Sequence, residues 1–523
     1  MQNLFKILIY KAKGEKDMEY VFTLEKNEYV WGGLSRYGDE MPYKNGYSRK
    51  TIGNNHSNQC ASFLITNMGK CIYSENPFDF EIEKESIKLY GNDIKSAQSS
   101  NKTLKGAYLT AVEIMNLKPE KCVEDEFFTS PQFNTWIELI YDQNQKDIIE
   151  YAKKIKEFGI DNAILMIDDN WQEDYGVFKF RADRFEEPKK MVDMLHDMGF
   201  KVMLWTSPFI SPDCEVFRSL EKKGLLVKKK GSEDAAVIKW WNGYSAELDF
   251  SNPDAVKWYD DENKRLMDDY GIDGFKFDAG DCEYYNGDYS FYKEYPSANH
   301  YTSLFGKLGA KYKYNEFRAA FNTQNLALVQ RLCDKRPAWD DNGIDSLIAD
   351  TIAQGLMGYP YVCSDMIGGG QFSYFTDKEK GVDQQLFVRY AQCAALMPMM
   401  QFSAAPWRVL DKKHCDLCFE AAKLHDKFKD YILKLAKDAV NTGEPVVRAL
   451  EYEFSGEGFE NVKDSFMLGD KYLVSPVIVK DQTKKKIKLP GGKWKSDDGT
   501  VYDGGCEIEI DTPIERIPYF EKL

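Results

Sequence analysis

The chain has 523 residues, which is enough for a large core and for more than one domain. Its net charge of -15 argues against nucleic acid or an anionic membrane as the main partner, because an acidic surface repels both. No run of residues approaches the roughly 18 to 20 apolar residues of a transmembrane helix.

The cysteines and the first residues bear on the compartment. Eleven cysteines, an odd number scattered without a disulfide framework, fit a reducing environment. The apolar run that begins at Met1 is short and interrupted by Lys6, so it indicates a first strand rather than a signal peptide. We therefore expect a cytoplasmic protein. The pair Cys415 and Cys418 lies in a stretch of helical periodicity without a second such pair, so we expect it to be structural.

Residues 1–128 are predicted to form an N-terminal β-sandwich. Short apolar runs such as 20–24 and 61–65 are separated by turn residues, which is typical of strands. No long helical period is visible in this part of the chain.

From residue 129 to about 440, strand-like and helix-like segments alternate. Strand patterns occur at 136–141, 163–167, 201–205 and 274–278. Helical spacing of apolar residues occurs between them, at 148–158, 191–198 and 253–270. Repeated helix–glycine–strand units indicate a parallel sheet, and a run of this length favours a (β/α)8 TIM barrel over an open sheet. No Gly-x-Gly-x-x-Gly follows a strand, so the fingerprint of a dinucleotide-binding fold is missing.

Strand patterns return after the barrel region. Apolar runs at 466–477 and 486–490 and the alternation at 507–510 predict a small C-terminal all-β domain over residues 441–523.

The strand pattern that ends at Asp278 carries the strongest chemical signal. Lys276 and Asp278 are two residues apart, so on a strand they point to the same side. A nearby cation keeps a carboxylate ionised. In a parallel β/α protein the C-terminal ends of strands carry the chemistry. An ionised, held Asp in that position is what a glycosidase needs as a nucleophile, although a buried ion pair without catalytic function is an equally good explanation of these residues alone.

Several separated motifs occur in a fixed order. They are Trp-Trp-Asn-Gly at 240–243, Phe-Lys-Phe-Asp-Ala-Gly at 275–280, Asp-Met-Ile-Gly-Gly at 365–369, Met-Pro-Met-Met-Gln-Phe-Ser at 397–403 and Leu-Pro-Gly-Gly-Lys-Trp at 489–494. Together they resemble glycoside hydrolase family 31, in particular its branch of bacterial α-galactosidases and of the myogenesis-regulating glycosidase. The resemblance runs from about residue 130 to the C-terminus.

The resemblance implies two catalytic carboxylates. Asp278 would be the nucleophile. Asp334 would be the general acid/base, because it follows Arg318 by sixteen residues as in the family. The family's Trp-x-Gly before the acid/base is absent, so Asp340 and Asp341, which directly follow a tryptophan, are rivals for this role.

The resemblance also implies residues that bind the sugar. These are Asp168, Asp169, Trp241, Lys276, Arg318 and Trp136. Asp168 and Asp169 would grip hydroxyls at a strand end, and Trp241 would stack on the pyranose. Lys276 and Arg318 would also hold Asp278 charged.

Four other side chains are assigned to the framework. Asp365 is expected to orient Arg318. Arg389 and Arg408 are expected to be structural, and Trp31 is expected to lie in the core rather than reach the site.

The sugar is inferred from a departure from the family pattern. Common α-glucosidases of the family carry an Arg-x-His clamp where this chain has Gln401, Phe402 and Ser403. We therefore expect an α-galactosidase acting on small oligosaccharides or glycosides. An α-glucosidase, α-xylosidase or α-N-acetylgalactosaminidase, or a non-catalytic sugar-binding homologue, are the alternatives. Only five histidines occur and none form a ligand-spaced pair, so we expect no metal and no cofactor. A homo-oligomer is left open.

Overall fold

The computed structural model describes residues 8–11, 18–52, 58–375 and 381–523. Eight parallel strands close a barrel in chain order, which confirms the predicted (β/α)8 class. The barrel strands, called first to eighth below, are Gln132–Asn134, Ala163–Ile167, Phe200–Thr206, Gly274–Phe277, Tyr314–Phe317, Val329–Arg331, Val362–Ile367 and Met399–Phe402.

Long helices follow seven of the eight barrel strands. They are Gln145–Glu157, Pro188–Asp197, Pro253–Tyr270, Asn299–Gly309, Ile344–Leu356, Gln384–Ala394 and Lys412–Thr442. Their ends follow local rules, as at the third helix. There Asn252 caps the first turn by accepting the N–H of Asp254 at 3.0 Å, and Gly271 ends the helix with a φ of 82°.

The connection from the fifth strand to the sixth has no helix. Instead Ala320–Phe321 pairs in parallel with Gln59–Thr66 of the N-terminal region. This added strand fastens the N-terminal region to the barrel beside the fifth strand.

The first barrel strand lies before the predicted one. Residues 136–141 were expected to be a strand, but Trp136–Leu139 is a short helix and the strand is Gln132–Asn134. The side chain of Asn134 accepts the N–H of Trp136 at 2.8 Å and turns the chain. The prediction was wrong because a short apolar run does not separate a strand from a buried helical turn.

The N-terminal region is built from two sheets. One contains Leu8–Lys11, Met18–Thr23, Ser86–Gly91, Asp79–Glu83 and Tyr47–Thr51 in spatial order. The other contains Ala320–Phe321, Gln59–Thr66, Lys70–Tyr73 and Lys95–Gln98, with Val30–Leu34 also paired to Gln59–Thr66. The predicted first strand is seen at Leu8–Lys11, and the rest of residues 1–10 lie outside the described residues.

One element of this region was not predicted. Leu104–Met115 is a helix that buries Leu104, Ala107, Tyr108 and Ala111. It is capped by Thr103, whose hydroxyl accepts the N–H of Gly106 at 3.0 Å. The spacing of these buried residues is helical, and small alanines made it inconspicuous.

The C-terminal region is all-β apart from one turn of helix at Leu450–Glu453. Its main sheet contains Val447–Arg448, Phe466–Leu468, Tyr472–Val474, Tyr519–Lys522, Lys493–Ser496 and Val501–Asp503, and Lys484–Lys488 pairs with Glu507–Asp511. Buried Arg389 of the barrel donates to the carbonyl of Thr512 at 2.8 Å. Arg389 is therefore a structural link between the barrel and this region.

The remaining elements are short and lie mostly in the loops of the barrel. They are the strands Gln172–Asp174, Val177–Phe180, Phe209–Ile210, Lys228–Lys229, Val237–Trp240, Gly243–Glu247 and Tyr289–Ser290, the 3-10 helices Ser35–Glu40, Cys282–Tyr285 and Phe372–Tyr374, and the helices Glu126–Thr129, Glu215–Lys222 and Pro406–Val409. Val237–Trp240 and Gly243–Glu247 form an antiparallel pair, called the site hairpin below. Within the described ranges, every helix is too short or too polar to span a bilayer.

Candidate active site

A cavity of about 360 Å³ opens at the C-terminal ends of the barrel strands. This is the face where barrels of this kind place their chemistry. Its lining includes all eight side chains predicted for the site, which are Asp278, Asp334, Asp168, Asp169, Trp241, Lys276, Arg318 and Trp136.

Asp278 follows the fourth strand and is held at both carboxylate oxygens. Oδ2 accepts the indole N–H of Trp205 and Oδ1 accepts the backbone N–H of Ala279, each at 2.9 Å. The Nε of Arg318 lies 3.3 Å from Oδ1. Burial opposes ionisation, but the charges of Arg318 and then Lys276 outweigh it and hold the pKa of Asp278 well below its usual 3.8.

The turn after Asp278 has an unusual backbone. Ala279 has a φ of 58° and Gly280 a φ of 71°. Positive φ is costly for alanine and persists only where the surroundings hold it. The result is that the carboxylate accepts the N–H of the next residue and is fixed against rotation.

Lys276 binds a different carboxylate from the one expected. Its ammonium lies 2.7 Å from Asp168 Oδ2 at the end of the second strand. Burial opposes the charge of Lys276, but the Asp168 carboxylate outweighs it and raises the pKa of the lysine. Lys276 therefore stays a cation and acts on Asp278 through its charge, without a direct ion pair.

Asp169 is the second carboxylate on this wall of the cavity. Its own N–H donates to Asp168 Oδ1 at 2.9 Å. Burial, followed by the charge of Asp168, raises the pKa of Asp169 to about 7. Both neighbouring carboxyl groups line the cavity, and Lys276 is bound to Asp168.

Asp334 lies just beyond the sixth strand on the other side of the cavity. Its Oδ1 accepts from Arg331 Nη1 at 2.7 Å, and 34% of its side chain is exposed, against 11% for Asp278. A Cβ added at Gly370 would come within 3.1 Å of the Asp334 carboxyl carbon. A glycine at 370 therefore leaves this carboxyl room to face the cavity.

The rivals for the acid/base role lie elsewhere. Asp340 and Asp341 are exposed and are absent from the lining of the cavity. Asp340 instead pairs with Arg336 at 3.1 Å. The geometry therefore favours Asp334.

Arg331 is a site residue that sequence reasoning missed. It is buried, and its Nη1 donates to Asp334 at 2.7 Å and to Asp365 at 2.8 Å. Its Nε lies 3.4 Å from Glu316. A charged residue inside the apolar run 327–332 was the available signal, because a buried charge needs partners.

The prediction that Asp365 orients Arg318 was wrong. Asp365 binds Arg331 and accepts the N–H of Lys335 at 2.7 Å, whereas Arg318 binds Asp281 and Asp278. The seventh strand carries Asp365 directly beside the sixth, which ends at Arg331, whereas Arg318 directly follows the fifth strand, next to the strand that leads to Asp278. Asp281 is therefore a second residue of the site that the sequence did not reveal.

Aromatic rings flank the entrance of the cavity. Trp241, at the turn of the site hairpin, has 44% exposure and lies with its ring 4.7 Å from the guanidinium carbon of Arg318. On the opposite wall Trp136 makes edge contacts with Tyr141 and Phe372, at centroid distances of 5.5 and 5.3 Å. Such faces suit the apolar side of a sugar ring.

The residues that replace the expected sugar clamp do not reach the cavity. Gln401 is fully buried and donates to Glu316 at 2.6 Å, and Ser403 accepts the N–H of Ile137 at 2.7 Å. Neither they nor Phe402 line the cavity. Gln401, Phe402 and Ser403 therefore contribute no side chain to the lining of the cavity.

The remaining predictions concern residues outside the cavity. Trp31 is buried in its strand, and Arg408 binds Glu138 at 2.8 Å. Cys415 and Cys418 are buried in the helix Lys412–Thr442. Across the described part of the chain, no group of three or more His, Cys, Asp or Glu side chains is arranged to hold a metal ion.

Comparisons with known proteins agree with this arrangement. The model of the glycosyl hydrolases family 31 TIM-barrel domain matches residues 131–434, and that of the family's C-terminal domain matches residues 443–522. The myogenesis-regulating glycosidase of Mus musculus is 31% identical over 77% of this chain and 57% of its own length. The α-xylosidase XylQ of Lactiplantibacillus pentosus is 26% identical over 71% of this chain and 50% of its own length.

The similarity to solved structures concerns the fold. The Flavobacterium johnsoniae dextranase complexed with glucose has a TM-score of 0.84 at 19% identity, over 98% of this chain and 67% of that one. An α-xylosidase from a soil metagenome complexed with xylose has a TM-score of 0.81 at 18% identity, over 99% and 81%. This chain spans about half the length of the two curated relatives above. The matched barrel and C-terminal domains show that the chain belongs to glycosyl hydrolase family 31.

Proposed function

We propose that the protein is a retaining exo-α-glycosidase that hydrolyses terminal α-linked galactose. The observation that carries the proposal is the pair of carboxylates in one cavity with opposite surroundings. Asp278 is buried and held ionised by cations, and Asp334 is more exposed and is bound to Arg331. A double displacement needs this difference, because one carboxylate must attack while the other carries a proton.

The first step forms a covalent intermediate. Asp278 attacks the anomeric carbon, and the bond from that carbon to the leaving oxygen breaks. Protonated Asp334 gives its proton to that oxygen. The product is a glycosyl ester on Asp278 and a carboxylate at Asp334.

The second step reverses the roles. The Asp334 carboxylate takes a proton from water, and the resulting oxygen attacks the anomeric carbon of the ester. Asp278 leaves as a carboxylate, stabilised by the charge of Arg318 and by the indole N–H of Trp205. The sugar is released with its original anomeric configuration.

The lining of the cavity supports an exo mode of action on a small sugar. Its volume of about 360 Å³ lies at the small end of ligand pockets, which run from about 300 to 1,000 Å³. Asp168 and Asp169 offer acceptors to hydroxyls, and Trp241 offers a ring face.

The choice of galactose rests on the residues Gln401, Phe402 and Ser403, which stand where common α-glucosidases of the family carry an Arg-x-His clamp. No histidine is among the residues that line the cavity in the described structure, and the residues at the clamp position are turned away from it. This supports a sugar other than glucose. The sequence resemblance to the α-galactosidase branch supports galactose.

Hydrolysis of a panel of p-nitrophenyl α-glycosides tests the proposal. The panel contains the galactoside, glucoside, xyloside and N-acetylgalactosaminide, with Asp278→Asn as the inactive control. Selective release from the galactoside, with α-galactose as the first product by NMR, is the expected result. Release from the xyloside would keep the mechanism and discard the sugar, and a first product of β configuration would discard retention.

A non-catalytic sugar-binding protein is the competing function. It predicts binding of a galactose-configured iminosugar without release of nitrophenol over long incubation. The presence of both carboxylates in one cavity favours catalysis.

We also propose that the protein acts in the cytoplasm on small oligosaccharides. All eleven cysteines are free thiols, and most of them are buried, which supports a reducing compartment. Fractionation of the native cells decides the location, and recovery in the medium would contradict it.

A further inference from the structure

The turn of the site hairpin carries a side chain that binds Asp169. The amide nitrogen of Asn242 donates to Asp169 Oδ2 at 2.7 Å and lies 2.7 Å from the hydroxyl of Tyr175. The same hydroxyl lies 3.1 and 3.2 Å from the two carboxylate oxygens of Asp169. The amide oxygen of Asn242 accepts from Tyr141 at 3.2 Å.

The donors and acceptors of this group match completely. One N–H of Asn242 goes to Asp169 and the other to the oxygen of Tyr175, whose own O–H is then directed to Asp169. This assignment fixes the orientation of the Asn242 amide and makes Asp169 an acceptor from both side chains. The carboxylate is therefore oriented from the hairpin side, and Asp169 also lines the cavity.

Asp169 depends on these neutral donors. Within the described residues no cation forms an ion pair with it, since Lys276 binds Asp168 instead. Burial and the charge of Asp168 work against its ionisation, and the hydrogen bonds from Asn242 and Tyr175 work for it.

We propose that Asn242 and Tyr175 are positioning residues that hold Asp169 as an acceptor for a hydroxyl of the bound sugar. The inference rests on the proposed function and deepens it, because it assigns part of the sugar recognition to the site hairpin. The neighbouring residue in the turn, Trp241, lies over Arg318, so one turn contacts both the Asp169 wall and the Asp278 wall of the cavity.

The pH dependence of substrate binding follows from the groups that face Asp169. These are the carboxylate of Asp168 with its bound Lys276, and the phenols of Tyr175 and Tyr141, whose pKa values burial raises. Asp169 itself has a pKa of about 7. An ionised acceptor binds a hydroxyl more strongly than a neutral one, so KM should fall as the pH rises through neutrality. Loss of the Asn242 donor raises the pKa of Asp169, and the fall in KM should move to higher pH.

The experiment compares Asn242→Ala and Tyr175→Phe with the wild type on the aryl α-glycoside that the wild type cleaves best. We expect KM to rise about tenfold in Asn242→Ala while kcat changes less, since one hydrogen bond to a charged group is lost. Tyr175→Phe removes the hydroxyl and keeps the aromatic ring. It therefore tests the other donor to Asp169 with less risk to folding. The matched control is Lys239→Ala, an exposed change on the same hairpin.

The outcomes separate positioning from support of the fold. An alkaline shift of the KM profile in both variants, absent in Lys239→Ala, supports the inference. An unchanged KM and pH profile, or an equal loss of kcat at every pH, overturns it. If the wild type cleaves no glycoside, the proposed function fails. Calorimetric titration with a galactose-configured iminosugar then decides, and equal affinity, or no affinity, in wild type and Asn242→Ala overturns the inference.

Discussion

The two sides of the cavity surround their carboxyl groups with different partners. Asp278 accepts two hydrogen bonds and is surrounded by Arg318, Lys276 and Arg331, whose charges lower its pKa against the effect of burial. In the part of the chain that the structure describes, Asp334 has one ion-pair partner, an arginine that it shares with Asp365. The two carboxylates therefore differ in burial and in the number of cations around them, and this difference supports the proposed roles of Asp278 as nucleophile and Asp334 as acid/base.

The largest expected effect is at the nucleophile. Asp278→Asn keeps the shape of the side chain and removes its charge, so kcat/KM on the preferred aryl glycoside should fall about 10⁴-fold or more. Thermal melting checks that the variant is folded. Substantial remaining activity would show that Asp278 is not the nucleophile.

A smaller and substrate-dependent loss is expected at the acid/base. Asp334→Ala should reduce the hydrolysis of a natural disaccharide about 10³-fold, because general acid catalysis contributes about 10²- to 10⁴-fold. The loss should be much smaller on p-nitrophenyl glycosides, whose leaving group needs little protonation. Asp340→Asn is the matched control and should leave both rates unchanged. The same pattern in Asp340→Asn would transfer the acid/base role to that residue.

The environment of Asp278 can be weakened without touching the carboxylate. Arg318→Met removes the cation that does most to lower the pKa of Asp278, so this pKa should rise. Since the nucleophile must be ionised, the acidic limb of the kcat profile, which does not contain the effect of Asp169 on KM, should move to higher pH in the variant. At neutral pH we expect kcat to fall about 10²-fold, because the variant lacks a fixed charge next to the reacting groups. A drop in rate with an unmoved acidic limb would contradict this electrostatic role.

The strand-end carboxylates could be predicted because an apolar run followed by Asp marks the C-terminal end of a barrel strand, as at Asp168 and Asp278. The partners of the arginines could not be predicted. Arg331 meets Asp365 across 34 residues and Asn242 meets Asp169 across 73, and such pairings depend on which strands and loops become neighbours. The surroundings of Gln401 could not be predicted for a related reason, since its side chain is buried in the barrel against Glu316 and does not line the cavity.

The smallest of these effects is expected at Trp241, whose proposed role is to bind the sugar and not to stabilise a charge that forms in the reaction. Trp241 is only partly buried and its ring covers Arg318, so Trp241→Ala removes a stacking face from the cavity and exposes the guanidinium to water. We expect KM to rise about tenfold, in line with the 1–2 kcal/mol typical of aromatic and cation–π contacts, with a smaller change in kcat. Trp241→Phe keeps a ring and should recover most of the affinity. If kcat fell as steeply as in Arg318→Met, Trp241 would act by holding Arg318 against Asp278. The proposed role of Trp241 in sugar binding would then be wrong.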